Sequence, residues 1–289
     1  MDRMDTPGPA SQETPRETPE SVGEQVLDAA VQVAGQLWNT RLLAAYALGS
    51  LAHGGFSIFV SDVDLGLVID DPLFAQDTQA VETLATTVMD GYLPLARRLS
   101  IFWGSPATLS GRAAGGRFPP LDRLDLLRYG RLLAGRDSRT GIPVPSRQEL
   151  IVSGAAYALA TLSAPELVAQ LHDSQRMAAE GVRALTKHIL FPVRFLYTAR
   201  TGEVGRNQDA VEHFAAVETG PAANLARDAL AWRTLPPDPH DPAVIATIAD
   251  GLLPLYRLFL EEYTARLREY GELDLAGQFL EWSLRLSNM

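Results

Sequence analysis

The spacing of apolar residues changes along the first half of the chain and predicts helices and strands in turn. Over residues 22–38 they recur every three or four positions, which predicts an amphipathic helix. Leu42–Leu48 and Val63–Ile69 are continuous apolar runs bounded by turn residues, which predicts two strands. Only a short glycine-containing segment separates the two runs, so we expect them to pair as a hairpin-like core.

The next elements follow from the same reading. Residues 77–97 have helical spacing, disturbed near Gly91 and Pro94, and residues 99–103 form a compact apolar and aromatic run that suits a third strand. Residues 121–133 are again helical in spacing. The predicted order is therefore helix, strand, strand, helix, strand, helix.

The second half of the chain shows helical periodicity almost throughout. The proline-containing segment 139–146 separates it from the first half, so we predict an α+β protein with one domain over residues 23–145 and an all-α helical bundle over residues 146–289. Residues 1–22 are rich in Pro, Thr and Glu and cannot bury enough apolar area to offset ordering entropy, which predicts a disordered tail. The predicted helices of the second half are 149–162, 165–179, 184–199, 208–217, 222–235, 242–270 and a short last helix.

Composition narrows the classes of function. The 289 residues include no cysteine, which excludes disulfides, thiolate zinc sites and a cysteine nucleophile. The net charge of −10 opposes sequence-blind binding to a polyanionic backbone, so nucleic acid is an unlikely partner. The longest apolar stretch, residues 42–52, is too short to span a bilayer, and the N-terminus has no apolar run typical of a signal peptide. We therefore expect a cytoplasmic protein without a membrane partner.

Two aspartates open the second predicted strand. Asp62 and Asp64 are two positions apart, so on a strand their carboxylates point to the same face. Two like charges so close need a cation, and Mg²⁺ suits them because it is commonly bound by one or two carboxylates together with substrate phosphates. The alternative is that both aspartates are only the polar face of a half-solvated strand.

Gly49 and Ser50 stand at the end of the first predicted strand, at the start of the turn that leads to the second. A glycine allows close approach of the backbone to a phosphate, and a serine adds a hydroxyl donor. Lys187, on a predicted helix of the second half, can reach a triphosphate across the cleft between the domains, or it can belong to an exposed basic face. An anion site next to a cation site is thus predicted.

The stretch from Gly49-Ser50 to Asp62-Val63-Asp64 resembles the signature of the DNA polymerase β-like nucleotidyltransferase superfamily. The resemblance implies a small mixed sheet flanked by helices over residues 23–145. Residues 187–204, followed by Asp209-Ala210, are similar to the helical C-terminal domain of the aminoglycoside adenylyltransferases that modify streptomycin and spectinomycin.

The resemblance also implies an activity, which is transfer of a nucleoside monophosphate, AMP from ATP, to a hydroxyl of a small-molecule or protein acceptor, with Mg²⁺ and release of pyrophosphate. Asp62 and Asp64 are then the catalytic and metal-binding residues. The residues implied to bind the nucleotide are Gly49, Ser50, Ser61 and Lys187.

Two positions depart from the pattern of these families. Ser100 stands on the third predicted strand where the superfamily has a third carboxylate, a role that Asp122 or Asp125 could take only if the following helix folds back. A nucleotide-binding regulatory protein with little or no activity is therefore the alternative. The sequence Leu185-Thr186-Lys187 stands where the resistance enzymes have an acid for the cationic antibiotic, which predicts that streptomycin and spectinomycin are not substrates.

Overall fold

The computed structural model describes residues 18–288. The first helix, α1 (Pro19–Trp38), starts where the Thr18 hydroxyl accepts a hydrogen bond from the backbone of Ser21. The predicted disordered tail, 1–22, therefore extends too far, because residues 19–22 form the first turn of α1 and Val22 is buried. Residues 1–17 of that tail lie outside the described residues.

Four strands form one mixed sheet, β1 (Leu42–Leu48), β2 (Val63–Ile69), β3 (Leu99–Gly104) and β4 (Arg131–Gly135). Their order is β3-β2-β1-β4. β1 is antiparallel to both β2 and β4, whereas β2 and β3 are parallel. The small mixed sheet and the three strands that the sequence predicts are confirmed.

The fourth strand corrects the helix predicted over 121–133. The helix here is α5 (Pro120–Tyr129), and it ends at Gly130, whose backbone N–H bonds the carbonyls of Asp125 and Leu126. The chain then runs as β4 along the free edge of β1. Periodicity could not reveal this change, because a run as short as five residues acquires strand structure from the neighbouring strand with which it pairs.

The two faces of the sheet pack against different helices. Ala45 and Ala47 of β1 and alternate residues of β2 pack against α1 and α3 (Ala75–Asp90). Ala44, Tyr46 and Leu48 point to the opposite face, where they meet α5 and the short helix α4 (Pro106–Leu109). By the alternation of side chains along β2, Asp64 points to this second face of the sheet. Its carboxylate therefore lies on the face that α5 covers.

The second half of the described chain is helical, and one apolar core joins its helices. The helix predicted over 165–179 is in fact two short helices, because Asp173 accepts a hydrogen bond from the backbone of Arg176 and starts a new helix there. The elements are α6 (Arg147–Leu162), α7 (Pro165–Gln170), α8 (Ser174–Ala179), α9 (Val182–Thr201), α10 (Asn207–Val217), α11 (Pro221–Trp232), α12 (Pro242–Glu269) and α13 (Leu273–Ser287).

α12 is the one helix within residues 18–288 that is long and apolar enough to cross a membrane by length and composition. Its large side chains fill the helical core instead, since Tyr256, Phe259, Leu260 and Tyr263 are completely buried. The same composition is typical of the central helix of a helical bundle.

Candidate active site

A short helix, α2 (Gly49–His53), follows β1 and brings the predicted site residues together. Two adjoining cavities meet at the carboxylates of Asp62 and Asp64, and both aspartates line both cavities. The smaller cavity, which we call the cationic cavity, is lined by all six predicted site residues, Gly49, Ser50, Ser61, Asp62, Asp64 and Lys187. The larger one, of about 250 Å³, we call the acidic cavity.

Gly49 occupies a position that only glycine suits. Its φ of +58° lies in the left-handed region, and a Cβ at this residue would overlap Oδ2 of Asp64. The Gly49 N–H donates to Oδ2 of Asp125 over 2.6 Å. The sequence analysis predicts that Gly49 allows a phosphate to approach the backbone. In the structure the missing side chain makes room for the Asp64 carboxylate, and the Gly49 amide is already bonded to Asp125.

Asp62 is held by two cations of α9. Lys187 Nζ lies 2.7 Å from one carboxylate oxygen, and Arg183 bonds the other. Lys187 is the only lysine in the sequence. It faces the predicted metal site and is about 29% exposed, so the interpretation as an exposed basic face does not describe its position.

Asp64 makes no ion pair with any residue in the described part of the chain. Burial raises its pKa to about 7, with further contributions from the charges of Asp62, Asp122 and Asp125 and an opposing one from Arg194. A carboxylate in this setting is stabilised by a cation. Within residues 18–288 no group of three or more His, Cys, Asp or Glu side chains is arranged to hold a metal ion.

The acidic cavity lies on the other side of Asp64. Ser100 is the register partner of Asp64 on β3 and lines this cavity. Asp122 and Asp125 also line it, because α5 folds back over the sheet beside β1 and α2. Burial, reinforced by the charge of Asp125, raises the pKa of Asp122 to about 7. Two carboxylates of α5 thus stand beside the position where β3 carries a serine.

Asp125 is the more buried of the two, with 8% of the residue exposed. Its Oδ2 accepts from Gly49, whereas its buried Oδ1 has no hydrogen-bond partner in the structure. Burial also raises the pKa of Asp125, while His53 nearby lowers it. Tyr157 and Phe191 complete an aromatic wall of the same cavity.

The cationic cavity, of about 80 Å³, is also lined by Arg194, Arg206 and Arg233. Arg206 pairs with Asp209, whereas Arg194 and Arg233 form no ion pair with the described residues. Helical spacing puts Arg194 on the same helix as Lys187, but Arg233 follows the last residue of α11 and carries no signal in the sequence, since an arginine near a helix end is typical of any protein. Ser50 Oγ donates to Ser61 Oγ over 3.2 Å in the same cavity.

No family model matches the chain, and no curated protein matches it in sequence. Among solved structures, it is similar to spectinomycin adenyltransferase AAD(9) from Enterococcus faecialis, whose structure contains ATP and spectinomycin. The two are 14% identical, with a TM-score of 0.56, and the match covers 78% of this chain and 96% of that chain. The fold predicted from the resemblance, a nucleotidyltransferase-type mixed sheet followed by a helical C-terminal domain, is thereby confirmed.

Proposed function

We propose that the protein is a nucleotidyltransferase that transfers AMP from ATP to a hydroxyl group of a small molecule and releases pyrophosphate. The observation that carries this proposal is the position of Asp62 and Asp64 between two cavities of opposite character. A polyphosphate suits the cavity lined by Lys187, Arg194 and Arg233, and an acceptor suits the acidic cavity. The reacting phosphorus would then lie at the two aspartates, where the cavities meet.

The residues that line the cationic cavity have different roles in this proposal. Ser50 and Ser61 offer hydroxyl donors, and Lys187 offers a point charge that turns from Asp62 to the phosphates. Asp62 and Asp64 would hold Mg²⁺, which neutralises charge on the phosphates and aligns them for in-line displacement. Most of the acceleration then comes from positioning and electrostatic stabilisation.

The acidic cavity supplies the base. We assign this role to Asp122, which lines the cavity and whose pKa of about 7 leaves a large fraction ready to accept a proton at neutral pH. The acceptor hydroxyl loses its proton to Asp122 as its oxygen forms a bond to the α-phosphorus. The bond from that phosphorus to the bridging oxygen breaks, and pyrophosphate leaves with the electron pair. In this way α5 replaces the carboxylate that β3 lacks.

A nucleotide-binding regulatory protein is the second candidate, and Ser100 is the observation that favours it. A serine is a poor base, so if α5 does not act, the site binds ATP without turning it over. The two candidates differ in one measurement, which is formation of AMP or adenylylated product and pyrophosphate from ATP and Mg²⁺ over hours in the presence of polyhydroxylated compounds. Binding of ATP without any such product favours the regulatory protein.

The test of the nucleotide and metal site needs no acceptor. Calorimetric titration with ATP is compared with and without Mg²⁺ for the unmodified protein and for the double variant Asp62→Asn, Asp64→Asn. We expect the double variant to keep its fold by circular dichroism and to lose the Mg²⁺ dependence. The control is Asp70→Asn, Asp71→Asn, an exposed aspartate pair at the far end of β2. Unchanged Mg²⁺-dependent binding in the Asp62, Asp64 variant refutes the proposal.

A further inference from the structure

Arg233 joins the helical half of the chain to the segment between β1 and β2. Its guanidinium donates to the carbonyl of Gly55 over 2.8 Å and to Ser61 Oγ over 3.3 Å, and its own carbonyl accepts from Ser57 Oγ. Only 9% of the residue is exposed. The side chain is therefore fixed at the wall of the cationic cavity, bonded to the serine that precedes Asp62.

The charge of Arg233 is buried without a carboxylate partner among the described residues. Burial, and next the charge of Arg194, lower its pKa to about 10, so the guanidinium stays protonated at neutral pH. A buried charge without a counter-ion is costly, and proteins keep one where a ligand of opposite charge completes the site.

Two of the three neighbouring cations in the cavity have an acidic partner. Lys187 is paired with Asp62, and Arg206 is paired with Asp209, whereas Arg194 and Arg233 line the cavity and form no ion pair with the described residues. The hydroxyls of Ser50 and Ser61 lie on the same cavity wall as Arg233. Positive charge without an ion-pair partner, next to two hydroxyl groups, defines a site for a phosphate group.

We propose that Arg233 binds the terminal phosphates of the nucleotide, the part that leaves as pyrophosphate. This assignment rests on the proposed function. A guanidinium presents parallel N–H donors that match two phosphate oxygens, and a lysine at the same place would offer only a point charge. Because Arg233 also holds Gly55 and Ser61, it couples the docking of α11 against the β1–β2 segment to the formation of the phosphate site.

The experiment separates phosphate binding from a structural role by using three ligands. Calorimetry with Mg²⁺ gives the affinities of ATP, AMP and inorganic pyrophosphate for the unmodified protein, for Arg233→Gln and for Arg233→Lys. We expect Arg233→Gln to weaken binding of ATP and pyrophosphate by about 10- to 100-fold, as for a lost hydrogen bond to a charged group, and to leave AMP within about twofold. The matched control is Arg227→Gln, which removes an exposed arginine of α11 bonded to Asn224.

Each outcome decides the assignment. If Arg233→Gln loses affinity for ATP and for AMP equally, Arg233 only shapes the segment around Gly55. If the affinities are unchanged, Arg233 touches no ligand. Either result overturns the inference. If Arg233→Gln does not fold, Arg233→Lys gives the answer, because we expect a selective loss for ATP and pyrophosphate there as well. Pyrophosphate binding that depends on Arg233, in a protein that does not bind ATP, supports the anion site and refutes the transferase proposal.

Discussion

Lys187 Nζ lies 2.7 Å from Oδ2 of Asp62, so the only lysine of the chain neutralises an aspartate that we assign to the metal. Arg183 bonds the other oxygen of the same carboxylate. A divalent cation at Asp62 would therefore compete with both α9 side chains for the carboxylate, and the phosphates of ATP would offer these side chains a new partner. Metal and nucleotide should bind together more tightly than either binds alone.

The first prediction tests this competition with Lys187→Met. Without the ammonium, Asp62 has one competitor fewer, so Mn²⁺ alone should bind several times more tightly, while ATP should bind about tenfold more weakly because a charged partner is lost. Paramagnetic resonance of Mn²⁺ and calorimetry with ATP measure the two effects. Arg257→Met, which removes an exposed positive charge from α12, is the control. Changes of the same sign for metal and nucleotide would contradict the competition.

The second prediction concerns Gly49. An alanine there must tolerate a left-handed φ, which costs about 1–2 kcal/mol, and its Cβ would collide with the Asp64 carboxylate. Gly54→Ala is a matched control, because Gly54 has a φ of +91° and a Cβ added there would meet nothing within 4 Å. We expect Gly49→Ala to lose Mn²⁺ binding in the presence of ATP and Gly54→Ala to keep it, both measured alongside thermal unfolding. Retained metal binding in Gly49→Ala would show that Asp64 is not held where the metal site needs it.

The sequence allows a prediction of the sheet, and the spacing of Asp62 and Asp64 at the start of β2 predicts that their carboxylates lie on one side. It could not predict which carboxylates join them. Asp122 and Asp125 reach the site because β4 pairs with β1 and so fixes the path of α5, and that pairing depends on contacts between segments some 90 positions apart, such as Ala45 with Ala134. Long-range pairing of this kind leaves no local pattern.

Arg233 shows the same limit in the helical half. From its position near the end of α11, Arg233 would be interpreted as an ordinary surface residue. It is buried only because that helix docks on the segment that contains Gly55 and Ser61. Lys187 is easier to assign, because a resemblance over residues 187–204 points to that helix. A residue that acts across the two halves is thus predictable where a resemblance points to its helix, as at Lys187, and not where no such signal exists, as at Arg233.

The third prediction concerns pH and Asp122. Its pKa is about 7 in the folded protein, above the ordinary value of an aspartate, so the folded chain keeps a proton that the unfolded chain releases as the pH rises from about 4 to about 7. The contribution of Asp122 to the free energy of unfolding should therefore fall over that range and level off above it. Asp122→Asn cannot ionise, so this variant should match the unmodified protein near pH 4 and be more stable at pH 8, by about 1–3 kcal/mol.

Chemical denaturation at the two pH values measures this difference, and Asp90→Asn, at the exposed end of α3, controls for the loss of one charge. The same Asp122→Asn variant should transfer AMP about 10²- to 10⁴-fold more slowly, since it removes the proposed base. If the difference in free energy of unfolding between Asp122→Asn and the unmodified protein is the same at pH 8 as at pH 4, Asp122 is ionised normally. If the transfer rate is unchanged in this variant, another residue is the base.

The last prediction is that neither streptomycin nor spectinomycin is adenylylated at a useful rate. The acidic cavity contains four carboxylates and two guanidiniums, from Asp62, Asp64, Asp122, Asp125, Arg117 and Arg194. A divalent metal would neutralise the first two, the arginines balance the remaining carboxylates, and Asp122, with a pKa of about 7, is partly protonated near pH 7. A cationic antibiotic taken out of water there finds no net negative charge, which is costly. The measurement is pyrophosphate release from ATP and Mg²⁺ with each antibiotic, with the spectinomycin adenyltransferase as positive control. Release that depends on the antibiotic and saturates at micromolar concentration would show that Asp122 and Asp125 together recognise the cation.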